Sequence, residues 1–321
     1  MTTITSRRHP TYYVVLSLLH IAGIMPVFAI LFLIFTRQWE IGIFIFAVCF
    51  VFSVFGFSTI SDYRKNSPKI IIEKDKIEIG NRYYFPHEIE NIVFTGKRNL
   101  GSNPMESMLI QFKSGKKIVI FDNMYSNISE IKQLLEQVIL NEQEYNPIKI
   151  KKVSKNDIRF EKEEKFKGPL FLSFSGIFLY GFIGFFIFLI LTGDRNQPLI
   201  NSIIAVGVWM IFLYSFLAWQ MDYFGLKRNF LIIRNHNHPI TVKVYRLSDI
   251  REVVFEQKGR LPNCMRVITV DYKKKLHFSQ TLRKKTWIEM KKRLEESGVK
   301  VRDEIYFYEN LKKKDFVTSK R

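Results

Sequence analysis

Four long apolar runs dominate the distribution of hydrophobic and polar positions along the chain. Each has about 20 residues or more without a charged side chain, enough to cross the roughly 30 Å hydrocarbon core of a membrane as a helix. A buried helix of a soluble protein seldom reaches this length without a charged face. The pattern therefore predicts four membrane-spanning helices, at residues 12–35, 41–60, 169–191 and 199–218.

The runs form two tight pairs, because only short polar connections separate the members of each pair. Residues 36–40 (TRQWE) join the first pair, and residues 192–198 (TGDRNQP) join the second. Lysine and arginine flank the outer ends of both pairs, whereas each connection has one arginine offset by an acid. By the positive-inside rule, both termini and both polar segments lie in the cytoplasm. The first run is too long for a cleaved signal peptide, so an uncleaved signal anchor is expected.

A strand-rich segment and a helix follow each predicted pair of spans. Short alternating or apolar stretches between turn residues predict the strands. They lie at 69–73, 76–79, 82–85, 107–112 and 118–121 in the first segment, and at 229–235, 240–245, 265–272 and 276–278 in the second. Apolar residues at helical spacing predict closing helices at 126–140 and 281–296.

One phrase occurs in both segments, as YYFPHEIENIVFT from Tyr83 and as VYRLSDIREVVFE from Val244. The matched apolar positions are Ile89 with Ile250, Ile92 with Val253, Val93 with Val254 and Phe94 with Phe255. Matching fragments, IKIKKV (148–153) and VKVRDE (299–304), follow the two helices. The chain is therefore expected to contain two copies of one unit, in which the phrase is a strand with its isoleucines and valines facing the core.

This order of elements resembles the bacterial PH-like (pleckstrin-homology-like) domain membrane proteins over nearly the whole chain. A pattern P-x-x-I-x-x-V that starts a strand is matched by Pro86, Ile89 and Ile92, and in the second copy by Leu247, Ile250 and Val253. The resemblance implies a small antiparallel sheet domain closed by a C-terminal helix. A PH fold has seven strands, whereas the pattern predicts about five or six per copy. Either the fragments after the helices supply the missing strand or the domains are degenerate.

The expected fold class is an α+β membrane protein with four transmembrane helices in two hairpins, each followed by a cytoplasmic antiparallel β PH-like domain capped by a C-terminal helix. The expected domains are hairpin 1 (1–65), PH-like domain 1 with its linker (66–160), hairpin 2 (161–224), PH-like domain 2 (225–305) and a basic tail (306–321). The expected location is the bacterial cytoplasmic membrane, with multiple passes.

Positive charge is concentrated in the last third of the chain. The formal net charge is +19, of which residues 222–321 supply about +13 and residues 61–167 about +4. The candidate contacts for anionic lipid head groups or a protein partner are Lys273, Lys274, Lys275, Arg283, Lys284 and Lys285. The alternative is a solvated basic face that follows the positive-inside bias. Nucleic acid is not an expected partner, because no docking motif accompanies the charge.

The sequence has no motif that predicts catalysis or a cofactor. Two histidines in NHNHP (235–239) have a spacing that permits metal chelation, but asparagine and proline favour a hairpin turn there. His20, the one titratable group within a predicted span, is interpreted as a packing or hydrogen-bonding residue rather than part of a proton relay. Cys49, in an apolar run, and Cys264, in a polar turn, are expected to be reduced thiols. Neither a metal nor an enzymatic activity is expected.

The predicted function is that of a membrane-bound binding or scaffolding module, with lipid head groups, a protein partner or a second copy of the chain as its ligand. A small transporter or channel subunit is the alternative, but the predicted spans are almost without the ionisable residues that transport sites use. An enzyme acting on lipids is a third alternative, for which the sequence names no residues.

Overall fold

Helices and antiparallel sheets alternate along the chain in the computed structural model, which describes residues 3–36, 39–100, 103–153, 163–192, 199–238, 240–257 and 261–305. The chain divides into two compact units, residues 1–148 (unit 1) and 149–321 (unit 2). Each contains two apolar helices and several antiparallel strands, so the fold is α+β. Residues 193–198 of the predicted connection, residues 154–162 and the predicted basic tail (306–321) lie outside the described residues.

Two long apolar helices occupy the first pair of runs. Helix α1 extends over Pro10–Thr36 and α2 over Trp39–Asn66. Within them, Val14–Phe35 and Ile43–Asn66 are long and apolar enough to cross a membrane. The rest of the protein buries only 13% and 24% of these stretches. Most of their apolar side chains are therefore exposed within this chain, and we treat both helices as candidate membrane spans.

The second pair of runs is also helical. Helix α4 extends over Phe174–Thr192 and α5 over Leu199–Trp219. Helix α4 begins later than predicted, because Ser173 Oγ accepts a hydrogen bond from Gly176 N at 3.1 Å and starts the helix there. Among the described residues of α4, the apolar stretch is Phe174–Phe188, which is shorter than the two candidate spans. Four membrane crossings thus remain a prediction.

The described residues of unit 1 form two four-stranded sheets and a closing helix. The first sheet has the order β1-β2-β3-β4. Its strands are β1 (Ile4–Thr5), β2 (Ile70–Ile72), β3 (Ile77–Ile79) and β4 (Arg82–Tyr84). In the second sheet, β7 (Asn103–Phe112) pairs with β5 (Ile89–Val93), β6 (Lys97–Leu100) and β8 (Lys117–Phe121). Helix α3 (Ile128–Leu134) continues as a π-helical stretch, Leu135–Leu140.

Unit 2 also has two four-stranded sheets within its described part. The first has the order β9-β10-β11-β12, and the second β16-β13-β14-β15. The strands are β9 (Glu164–Phe166), β10 (Asp222–Lys227), β11 (Phe230–Asn235), β12 (Val242–Arg246), β13 (Ile250–Gln257), β14 (Asn263–Thr269), β15 (Lys274–Phe278) and β16 (Val301–Asp303). Helix α6 (Lys284–Glu296) lies between β15 and β16.

In each unit, a strand that the sequence pattern did not predict lies before the helical pair. Strand β1 precedes α1 and pairs with β2, and β9 precedes α4 and pairs with β10. The fragment 299–304 does supply a strand, β16, which pairs in parallel with β13. The matching fragment 148–153 is described but is not a strand, so it does not supply one in unit 1.

Apolar alternation explains both cores. Ile77 and Ile79 of β3 are buried, whereas Glu78 between them is only half-buried, as the period of two in a strand requires. In unit 2, the Trp287 ring packs on the rings of Phe224 and Phe255, at centroid distances of 5.8 and 4.9 Å. The predicted apolar stripes of the closing helices are confirmed, because these residues are buried: Ile128, Ile131, Leu134 and Leu135, and Trp287, Met290 and Leu294.

The repeated phrase has the same local structure in both units. A 3₁₀ turn, Pro86–Glu88 or Leu247–Asp249, leads into a strand whose register shifts directly after Ile89 or Ile250. Ile89, Ile92, Ile250, Val253 and Val254 are buried, as expected. Val93 is 39% exposed, so the prediction was wrong there. Val93 follows Ile92 in the strand and therefore lies on the opposite face of the sheet.

Candidate functional site

The chain that leaves α5 is bound to the chain that leads into α6. Gln280 N donates a hydrogen bond to Gln220 O at 3.0 Å. The Trp219 ring, at the end of α5, lies 4.5 Å from the ring of Phe278. The segment before α6 is therefore fixed against the end of α5.

The chain that enters α4 contacts the same segment. Gly168 lies so close to Thr281 that a Cβ on Gly168 would be 1.5 Å from the Thr281 carbonyl oxygen. Only glycine permits this approach of the two backbones. Both ends of the α4–α5 pair thus converge on the residues that precede α6.

A basic cluster, Arg283, Lys284 and Lys285, lies at the start of this helix. Arg283 is the N-cap residue, and all three side chains are exposed. The first turn of α6 has no acidic residue. The N-terminus of a helix already carries partial positive charge, so three cations there are unfavourable unless an anion is near. Half of the predicted contact residues are therefore located beside the ends of α4 and α5.

The other predicted contacts lie at the opposite end of β15. Lys273 Nζ is 2.7 Å from the carboxylate of Asp271, a buried residue. Burial raises the pKa of Asp271, but hydrogen bonds from Lys273 and Thr269 outweigh this effect and the pKa is lowered. Lys274 and Lys275 begin β15, whose five residues extend for about 17 Å towards α6. The six predicted residues therefore form two groups rather than one patch.

A buried polar cluster connects α5 to the sheets, and sequence reasoning missed it. His277 Nδ1 lies 3.3 Å from an Asp222 carboxylate oxygen, and His277 Nε2 lies 3.3 Å from Tyr245 Oη. Asn235 Nδ2 donates to the other carboxylate oxygen of Asp222 at 2.9 Å. The imidazole has no exposed surface. The cluster thus holds strands β10, β11, β12 and β15 together where the chain leaves α5.

Burial controls the titration of this cluster. It lowers the pKa of His277, against the opposing effect of the Asp222 carboxylate. It also raises the pKa of Tyr245 to about 12, with a further contribution from Asp222. Burial and the charge of Lys275 lower the pKa of Lys243, which Asp222 partly offsets. His277 is therefore favoured in its neutral form.

The first residue of the NHNHP segment, Asn235, ends β11, and the chain bends at His236 and Asn237 as the predicted turn requires; Pro239 lies outside the described residues. The His236 ring packs on Tyr223 at 4.6 Å, and the His238 ring meets Tyr214 edge-on at 5.8 Å. Asn237 accepts hydrogen bonds from Tyr180 of α4 at 2.7 Å and from Tyr214 of α5 at 3.3 Å. This turn therefore attaches the first sheet of unit 2 to both helices.

Metal-ligating groups do not cluster in the part of the chain that the structure describes: no three His, Cys, Asp or Glu side chains there are placed to hold an ion. Cys49 and Cys264 are both buried, and neither is part of a disulfide. The location expected for Cys264 was wrong, because it lies in β14 rather than in a polar turn. Cys264 and its neighbour Met265 are both fully buried, so both faces of β14 are covered at this point.

The start of α3, the closing helix of unit 1, has polar and acidic residues where the start of α6 has basic ones. Asn127 accepts a hydrogen bond from Arg7 N at 2.7 Å and donates one to Thr5 O at 2.9 Å. Glu130 is in the first turn of α3. Asn127, the N-cap residue of α3 as Arg283 is of α6, thus binds the chain around β1, and the described first turn of α3 is acidic where that of α6 is not.

Comparison with known proteins adds no family: no protein-family model and no curated protein matches the chain. Function must therefore be inferred from the geometry of the chain itself.

Proposed function

We propose that the protein is an integral membrane protein whose two sheet units are cytoplasmic binding modules held at the membrane surface. The long, uncovered apolar faces of α1 and α2 support membrane insertion. Basic residues at the outer ends of both helical pairs support a cytoplasmic location for the sheets. In this proposal, α4 and α5 form the second pair of spans.

The proposal includes a PH-like fold for each unit, which the strand arrangement supports. Strands β9–β12 and β13–β15 make seven strands in two sheets, closed by α6. In unit 1, β1–β4 with β5, β7 and β8 make the corresponding seven, closed by α3. The shared 3₁₀ turn and bulge support a duplication. Each helical pair would then be an insertion after the first strand of a PH-like domain.

Unit 2 would bind anionic lipid head groups through Arg283, Lys284 and Lys285. The observation that carries this step is the hydrogen bond from Gln280 to Gln220, because it places the basic cluster beside the end of α5. Near an anionic leaflet, each such cation adds about 1 kcal/mol of attraction. The cluster therefore has about 3 kcal/mol available for holding α6 against the membrane.

An exposed apolar residue extends this surface. Ile288 of α6 is 52% exposed and lies one turn after Lys284 and Lys285, on the same side of the helix. Cations beside an exposed apolar side chain suit the boundary between head groups and acyl chains.

The test uses the full-length protein, reconstituted into vesicles of phosphatidylcholine with or without phosphatidylglycerol. A fluorophore on Glu289→Cys, in a Cys49→Ala, Cys264→Ala background, reports proximity to a quencher attached to lipid head groups. We expect stronger quenching in the anionic vesicles, and salt should weaken it because charges are screened beyond about 8 Å at 0.15 M.

The control removes the same charge from the other end of β15. Changing Arg283, Lys284 and Lys285 to Gln should abolish the added quenching, whereas changing Lys273, Lys274 and Lys275 to Gln should leave most of it. Equal losses would mean that only the net charge matters. If neither variant changes the quenching, lipid binding by α6 is wrong.

A further inference from the structure

Unit 1 has a cleft of about 960 Å³ where several of its segments meet. These are the turn between β2 and β3, the 3₁₀ turn before β5, the end of the π-helical stretch, and residues 142–145. All of them lie within residues 1–148, so the cleft belongs to one compact unit. Its volume is in the range of clefts that cover most of a bound ligand.

Part of the cleft lining is apolar or aromatic. The residues concerned are Pro86, Val138, Ile139 and Tyr145. The last three also pack against the buried core of unit 1, which holds them in place. Each is only partly buried, so apolar surface is left for a ligand to cover. Burial and the nearby Glu130 carboxylate raise the pKa of Tyr145, so its hydroxyl keeps a proton that it can donate.

The wall of the cleft at residues 142–145 is fixed to the π-helical stretch by hydrogen bonds. Gln143 N donates to Gln137 O at 2.8 Å. The Gln137 side chain also binds the backbone of Asn146 in both directions. Asn146 N donates to its Oε1 at 2.8 Å, and its Nε2 donates to Asn146 O at 3.0 Å. The wall is therefore held in place before a ligand binds, which lowers the entropic cost of binding.

Exposed carboxylates give the cleft a negative charge. Asp75, Glu142 and Glu144 line it, against one ammonium group, that of Lys74. Among the described residues, none of these three carboxylates has a hydrogen-bond or ion-pair partner. The chain as a whole has a net charge of +19, so a group of carboxylates without partners is a local exception. Such a field favours a cationic ligand.

We infer that the cleft binds a segment of a partner protein in which basic and apolar residues alternate. Apolar side chains of the segment would cover Val138, Ile139 and Tyr145. Its lysines or arginines would pair with the carboxylates of Glu142 and Glu144. An extended chain presents successive side chains to opposite sides, so one short segment meets both requirements. A polyamine would satisfy the carboxylates but would leave the apolar surface uncovered. The inference rests on the proposed function only in that unit 1 is a binding module.

Peptide binding to the full-length protein, in micelles of the uncharged detergent dodecylmaltoside, tests the inference. The probe is a capped, fluorescein-labelled peptide of sequence VKVRVK, whose fluorescence anisotropy reports binding, and protein-free micelles give the background. The peptide SKSRSK keeps the charges without the apolar side chains, and VEVEVE reverses the charge. We expect VKVRVK to bind about tenfold more tightly than either of the others, because only it combines both features.

A charge variant of the protein locates the binding site. Glu142→Gln with Glu144→Gln should weaken the binding of VKVRVK about fivefold, because exposed ion pairs contribute modestly. Asp62→Asn with Glu295→Gln is the matched control, since it removes two exposed carboxylates outside the cleft, and it should leave the affinity unchanged.

Three results would overturn the inference: no binding of VKVRVK, equal binding of VKVRVK and SKSRSK, or equal losses in the two variants. Lipid quenching by α6 is measured on other residues, so either proposal can fail without the other.

Discussion

His277 and Asp222 lie 3.3 Å apart in the interior of unit 2, where the sheets meet the chain that leaves α5. The pair joins β15 to β10, and the histidine also contacts Tyr245. Lys243 and Lys275 act against a charge on the imidazole, whereas Asp222 favours it. Burial has the largest effect, so the pKa of His277 is lowered and the neutral imidazole is favoured.

Acid should therefore destabilise unit 2. The folded-state pKa of His277 is lowered from 6.5, so below that pH the unfolded chain binds a proton that the folded chain does not. Stability is complete above about pH 6.5 and is lost as the pH falls towards the folded-state pKa. His236, whose pKa burial also lowers, contributes in the same direction.

Thermal unfolding in detergent between pH 7 and 5 would measure this effect. We expect His277→Gln to reduce the loss of unfolding temperature on acidification. Tyr245→Phe, which keeps the histidine, should retain the full loss. An unchanged acid response in His277→Gln would assign the sensitivity to other groups.

Gly168→Ala should destabilise the attachment of α4 to unit 2. The added methyl group would meet the Thr281 carbonyl at 1.5 Å, so both backbones must move. Such overpacking typically costs about 1–3 kcal/mol or more. Gly181→Ala in α4 is the matched control, because its Cβ meets nothing within 4 Å. The unfolding temperature in detergent should fall for the first variant only, and equal effects would contradict the close contact.

Lys132→Met should destabilise unit 1 strongly. Lys132 Nζ is 2.8 Å from the Asp122 carboxylate, and both side chains are buried. Removing one partner of a buried ion pair typically costs about 3–5 kcal/mol, because the other charge stays buried. Lys132→Met with Asp122→Leu should recover part of this loss. Denaturant unfolding of the two variants would measure the difference, and a double variant less stable than the single one would refute the argument.

Reporter fusions test the proposed topology. Cytoplasmic reporters should be active at residues 145 and 321, and periplasmic reporters near residues 38 and 195, because of the positive-inside bias. A periplasmic signal at residue 145 would reject two hairpins with cytoplasmic sheets.

Local patterns predicted most elements, because the apolar residues that share a buried face recur at the spacing of a strand or a helix. Ile77 and Ile79 identify β3, and Trp287, Met290 and Leu294 identify the buried face of α6. Long-range pairing could not be predicted in this way. Strands β1 and β9 have two and three residues, too few for a periodic signal, and their partners lie beyond a whole helical pair.

The candidate site was predicted only in part, because local patterns do not show which distant residues the fold brings together. The charge runs identified Arg283–Lys285 and Lys273–Lys275, but not that β15 separates them. Asp222 and His277 are 55 positions apart, and neither stands in a recognisable motif. Only the folded sheets bring them together.

The placement of β1 and β9 also determines the order of events during synthesis. Each of these strands leaves the ribosome before an apolar helical pair, and its partner, β2 or β10, leaves after that pair. The opening strand of each sheet therefore waits without a partner while both helices are made. An unpaired strand can associate wrongly with other chains. A nascent chain whose helical pair stalls cannot complete the adjoining sheet, so each pair is the step on which the folding of its unit depends.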